Sequence, residues 1–142
     1  MTYTVSFSQI FGQEFSRSPE PEQNAVASFI ATFQAVGLAD QTKYPGRISP
    51  SWANIPQDHP NAIHAKKYDL WHYHVGLPDY TGVATWDKVS DWLLHFQWRK
   101  TATHVHLVDL YQHHRHDGSF YLPAEKRLGD LPLDAFPPMR HG

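Results

Sequence analysis

Apolar and polar positions alternate at the start of the chain, where Tyr3, Val5 and Phe7 are separated by Thr4, Ser6 and Ser8, the period of a half-buried strand. The period then changes. Ser18-Pro19-Glu20-Pro21-Glu22 supplies a capping residue, prolines tolerated in a first turn and acids suited to a helix N-terminus. Val26, Phe29, Ile30 and Phe33 follow at i, i+3, i+4 and i+7, one face of a helix that Gly37 is placed to end.

From residue 38 to 60 the pattern dissolves. Pro45, Pro50, Pro56 and Pro60 predict an ordered loop there, with a short helical turn near Trp52. The aromatic-rich run Tyr68 to Val75 reads as a second strand, stopped by Gly76 to Pro78. After a loop from Asp79 to Ser90, Asp91 to Trp98 reads as a third strand with Trp92, Leu94, Phe96 and Trp98 on its inner face. Arg99 to Thr103 suits a hairpin turn, and His104 to Tyr111 a fourth strand. Strand, helix and three consecutive strands predict an α+β domain over 1–142, a mostly antiparallel four-stranded sheet packed on an N-terminal helical segment. The Pro-rich tail at 129–142 is expected to be extended or mobile.

Composition narrows the options. With 142 residues, 41% of them hydrophobic and 14% aromatic, the chain suits one core. It contains no cysteine, which excludes disulfides, thiolate metal sites and a cysteine nucleophile. The start MTYTVSFSQIFGQEF has no basic leader before an apolar run, and no later run approaches the roughly 18 residues of a membrane helix, so a cytoplasmic protein without a membrane partner is expected. Twelve Lys and Arg against fourteen Asp and Glu give a formal charge of −2, where a nucleic-acid binder usually carries a basic surplus. Eleven histidines are neutral in that sum, and imidazoles gain protons beside phosphates. The stretch from His95 to His116 sets His95, Arg99, Lys100, His104, His106, His113, His114, Arg115 and His116 against Asp109 alone.

That mixture suits metal-free RNA cleavage, in which a base takes the proton of a ribose 2′-hydroxyl and an acid protonates the departing 5′-oxygen. Cations for the phosphoryl oxygens and flat side chains for an unstacked base complete such a site. A metal reading stands beside it, because His72 and His74, like His104 and His106, are two apart on one strand face and could share an ion. Neither Cys nor Glu lies at a typical ligand spacing, however. For Trp71, Trp92, Phe96 and Trp98, alternation alone implies core packing.

A histidine precedes the second strand, His64 in NAIHAKK, and another ends it, His74 in LWHYHVG. Asp91 and Trp92 open the third strand in SDWLLHF, and His116 stands four residues before Phe120 in HRHDGSF. This order, over roughly Ile63 to Tyr121, resembles the RelE/ParE toxins and within them the histidine-using mRNA interferases of the YafQ and YafO kind. The resemblance implies a RelE-like fold and a type II toxin that cuts mRNA on the ribosome without a cofactor. It implies His116 as leading acid/base, with His74 and His64 sharing proton transfer or holding phosphate, and Asp91 orienting an imidazole or staying with the backbone. Phe120 or Tyr121 would stack on a base, Trp92 would serve the substrate, and Arg115, Arg99 or Lys100 would neutralise phosphate. The implied partners are an antitoxin, the ribosome and mRNA. Two alternatives remain: a gyrase-inhibiting toxin on the same fold without nuclease activity, and a histidine-rich metal-binding domain.

Overall fold

The computed structural model describes residues 2–53, 55–82, 88–99, 102–112 and 121–128. Its elements run β1 (Thr4–Phe7), α1 (Gln9–Phe15), α2 (Glu20–Val36), a 3₁₀ turn (Gln41–Lys43), β2 (Ile48–Pro50), α3 (Pro60–Lys67), β3 (Leu70–His74), β4 (Trp92–Gln97), β5 (His104–Gln112) and α4 (Glu125–Leu128). The strands form one sheet in the order β1-β5-β4-β3-β2. β1 runs parallel to β5, and the other pairings are antiparallel.

The α+β class and the predominance of antiparallel pairing agree with the sequence reading, while the strand number is corrected from four to five. The added strand, β2, lies inside the loop expected at 38–60 and pairs with β3, Ser49 opposite His72 and Pro50 opposite Trp71. Pro50 sits at the sheet edge, where a missing N–H costs no ladder bond. The helices α1 and α3 also lie where the pattern predicts none. In α1 the Ser8 hydroxyl accepts from the Phe11 amide at 3.1 Å, and Phe7, Phe11 and Phe15 cluster with ring centroids 5.2–5.9 Å apart. In α3 the His59 ring accepts from the Asn61 amide at 3.0 Å, and Pro60 occupies the first turn, where its missing donor is harmless. Ser18 is not the cap of α2: the helix begins after Pro19 without a side-chain cap. Gly37 ends it as expected, at φ 70°, a conformation that a side chain disfavours.

The sheet separates two environments. On one face Val26, Phe29 and Phe33 of α2 pack with Tyr73, Leu94, Phe96, Val105 and Leu107, with Tyr44 and Trp98 in the same core. The helical segment therefore covers one face only. The opposite face carries a smaller cluster of Ala65, Leu70, Val108 and Leu128, so α3 and the end of the described chain cover the other. Trp92, unlike Leu94, Phe96 and Trp98, is half-buried and outside the main core, with its ring 6.3 Å from Tyr111. The tail at 129–142 lies outside the described residues.

Candidate functional site

Alternation along the strands decides which face receives the histidines. His72 and His74 share a face with Leu70, and His104 shares one with His106. Register then joins the two sets, since His72 is opposite His95, His95 opposite Asp109, and Gln97 opposite His106. All histidines of the described strands thus lie on the face away from α2, together with Gln97 and Asp109.

The face is polar and largely sealed. His72, His74, His95, Gln97, His106 and Asp109 are each at most 8% exposed, a placement that demands partners. At one edge Thr4 Oγ1 lies 2.7 Å from His104 Nδ1, and Ser6 Oγ lies 2.8 Å from His104 Nε2 and 2.7 Å from His106 Nδ1. Burial lowers the pKa of His104. At the centre the Tyr121 hydroxyl donates to Asp109 Oδ2, and the Tyr121 ring stacks on Tyr111 at 4.3 Å and meets His95 edge-on at 5.5 Å. Burial pushes the Asp109 carboxyl up to about 7, against the opposing pull of Tyr121 and Arg127.

Toward β2 the same face opens into a cleft of about 680 Å³, lined among others by Arg47, His59, Asn61, His72, His74 and Asp91. Arg47 is presented by a tight turn at Gly46, where an added Cβ would lie 2.0 Å from the His74 carbonyl oxygen. His74 donates its amide to Arg47 O at 3.0 Å, and Arg47 donates its own to Lys88 O at 2.9 Å. His59 and Asn61 bring the first turn of α3, with its partial positive charge, to the rim.

Within the cleft His72 Nδ1 lies 2.9 Å from Ser51 Oγ, and the His72 and His74 rings stand at 81° with centroids 5.6 Å apart. His74 Nδ1 lies 2.9 Å from both the amide nitrogen and the carbonyl oxygen of Ser90. With Nδ1–H donating to that C=O, the ring exchanges a proton through Nε2 and the Nδ1 bond is the same in the neutral and protonated states. The imidazole therefore keeps an orienting partner in both states, the property an acid/base group needs.

Of the residues implicated by sequence, the cleft brings together His74 and Asp91, with Asp91 on its exposed rim. Ser90 backbone, rather than Asp91, orients the His74 ring. His64 does not line the cleft: its Nε2 lies 2.7 Å from Pro123 O and its ring 5.1 Å from Tyr68, so it ties α3 to the segment at 121–128. Arg99 is 3.4 Å from Asp69 Oδ2, at the far end of β4 from Asp91. Tyr121 is engaged with Asp109, and Trp92 does not line the cleft. His116, Lys100, Arg115 and Phe120 lie outside the described residues. His72 was legible as the strand partner of His74, whereas Arg47 and His59 sit in loop positions that no periodicity marks. Among the described residues, no three His, Asp or Glu side chains converge as a metal site requires, and no helix is long and apolar enough to cross a membrane. No protein-family model, curated protein or solved structure matches the chain.

Proposed function

We propose that the cleft cleaves RNA by acid/base catalysis, with His74 and His72 as its proton-transferring pair. The observation that carries this reading is the contact of His74 Nδ1 with the Ser90 backbone, whose carbonyl can hold an Nδ1–H while Nε2 exchanges a proton. One imidazole takes the proton of a ribose 2′-hydroxyl, O2′ attacks phosphorus, and the P–O5′ bond breaks as the other imidazole gives its proton to O5′. The products are a 2′,3′-cyclic phosphate and a 5′-hydroxyl. Arg47 is the cleft's cation for the phosphoryl oxygens, and Pro50, Ala53 and Ile55 give it an apolar wall against which a base can rest. The site needs no cofactor for these steps.

The wider biological assignment is a cytoplasmic type II toxin acting on ribosome-bound mRNA and restrained by an antitoxin. Its support is the RelE/ParE-like order of His64, His74, Asp91, Trp92, His116 and Phe120. On that reading His116 joins the same chemistry, and Arg115, Lys100 and Phe120 contribute phosphate and base contacts. Induced expression with mapping of mRNA 5′ ends tests it. Cuts that vanish in His74→Ala support the proposal, and growth arrest with intact mRNA contradicts it.

A further inference from the structure

Asp109 is a carboxyl group, 3% exposed, set among buried imidazoles and without a role in the steps above. The register gives it a direct line to the cleft. Asp109 on β5 is opposite His95 on β4, and His95 is opposite His72 on β3, with the two imidazole centroids 6.1 Å apart. His72 ends the row at the cleft wall. Adjacent strands stand about 4.8 Å apart, so each member lies within reach of the next, and 0% exposure of His95 leaves little water between them.

Each element packed around Asp109 contributes a titratable or charged group. From the 121–128 segment come the Tyr121 hydroxyl, which donates to the carboxylate, and the Arg127 guanidinium. From α1 comes Glu14, which pairs with Arg127 at 2.6 and 3.0 Å. From β4 comes His95, and along β5 itself lie His104 and His106. Glu14 and Arg127 pair with each other, and His95, directly opposite on β4, is the member of this set that stands between Asp109 and His72.

We propose that Asp109 is a positioning residue for the cleft: through the in-register row Asp109–His95–His72, the charge on its carboxyl governs how readily His72 binds a proton. A buried imidazolium is favoured when a carboxylate faces it and disfavoured when that carboxylate is neutral. Groups this close titrate as a unit. Because the carboxyl is pushed up to about 7 by burial, its charge changes in the range where imidazoles exchange protons. The inference rests on the proposed reading of His72 as a proton-transferring group, but its first readout does not require activity.

The test is an NMR pH titration of the histidine Cε1–Hε1 resonances in the full chain, comparing wild type with Asp109→Asn and Tyr121→Phe. In Asp109→Asn the apparent pKa of His72 should fall by about 1 unit, the coupling expected across about 10 Å at an effective dielectric near 20. Tyr121→Phe keeps the carboxyl and removes its hydrogen-bond donor, so His72 should move in the same direction by less, which covers the case in which Asp109→Asn fails to fold. A His72 shift of less than about 0.2 unit in the variants that fold overturns the proposal. Where RNA cleavage is measured, the limb of the pH–rate profile that follows His72 should move with its titration in Asp109→Asn, and a uniform drop without movement overturns the link. A His72 shift in a protein that cuts no RNA supports the row and counts against the nuclease reading alone.

Discussion

His74 Nδ1 stands 2.9 Å from both the N and the O of Ser90, and an Nδ1–H donated to that carbonyl persists before and after Nε2 gains a proton. A group that alternately accepts and surrenders a proton needs that constancy. His64, by contrast, spends Nε2 on the Pro123 carbonyl, an interaction that fastens two chain segments.

The two histidines should accordingly separate in their effects. His64→Ala is expected to leave kcat for RNA unchanged and to lower stability by about 1–2 kcal/mol, the value of one half-buried hydrogen bond and its ring packing. His74→Ala should lower kcat by about 10²–10⁴-fold, the usual range for removal of an acid or base. Chemical denaturation beside single-turnover cleavage distinguishes them.

Arg47 faces the cleft from a turn held by the His74 amide. In Arg47→Ala, KM for single-stranded RNA should rise more than kcat falls, and the slope of log affinity against log salt should shrink by about 0.7, because one fewer phosphate is neutralised. Binding titrations at several salt concentrations read the affinity and its slope, and steady-state cleavage reads KM and kcat.

At Gly46 a methyl group would meet the His74 carbonyl oxygen at 2.0 Å, the Tyr80 hydroxyl at 2.6 Å and the Tyr80 ring at 2.8 Å. The Tyr80 hydroxyl already donates to that carbonyl at 2.7 Å, so neither neighbour can retreat without breaking a hydrogen bond. Gly46→Ala should cost about 2–4 kcal/mol by urea unfolding and should impair cleavage by shifting Arg47.

The sequence disclosed the strands at 4–7, 70–74, 92–97 and 104–112 and the helix at 20–36 because each has a period long enough to read. It concealed β2, whose three residues end on a proline, and α3, where His59 serves as a cap although ring nitrogens are uncommon in that role. It also concealed α1, although Ser8 with Phe11 and Phe15 carried the cap and the spacing of a short helix. For the site, alternation exposed the pairs His72/His74 and His104/His106, but only strand register could put them, with His95, on one face. Of the residues implicated by the resemblance, His74 and Asp91 line the cleft, whereas Arg47 and His59 arrive there from segments without a readable period.

The buried carboxyl of Asp109 has a stability signature. Its pKa stands at about 7 in the fold against 3.8 for the unperturbed group, so the folded chain holds a proton that the unfolded chain releases between these values. The stability it contributes is full below about pH 4 and is lost as pH rises toward 7, by at most about 4 kcal/mol. Asp109→Asn lacks this pH dependence. Its stability relative to wild type should therefore increase from pH 4 to pH 8, and a difference that is flat or falls with pH would contradict the assignment.

The most direct test of the cleft's chemistry is incubation of the purified protein with RNA in excess EDTA, with and without ribosomes, followed by analysis of the product ends. Wild type should leave 2′,3′-cyclic phosphate and 5′-hydroxyl ends, cut no RNA that is 2′-O-methylated at the scissile nucleotide, and lose activity in His74→Ala. Products bearing 5′-phosphates, cleavage abolished by EDTA, or activity undiminished in His74→Ala would contradict the account.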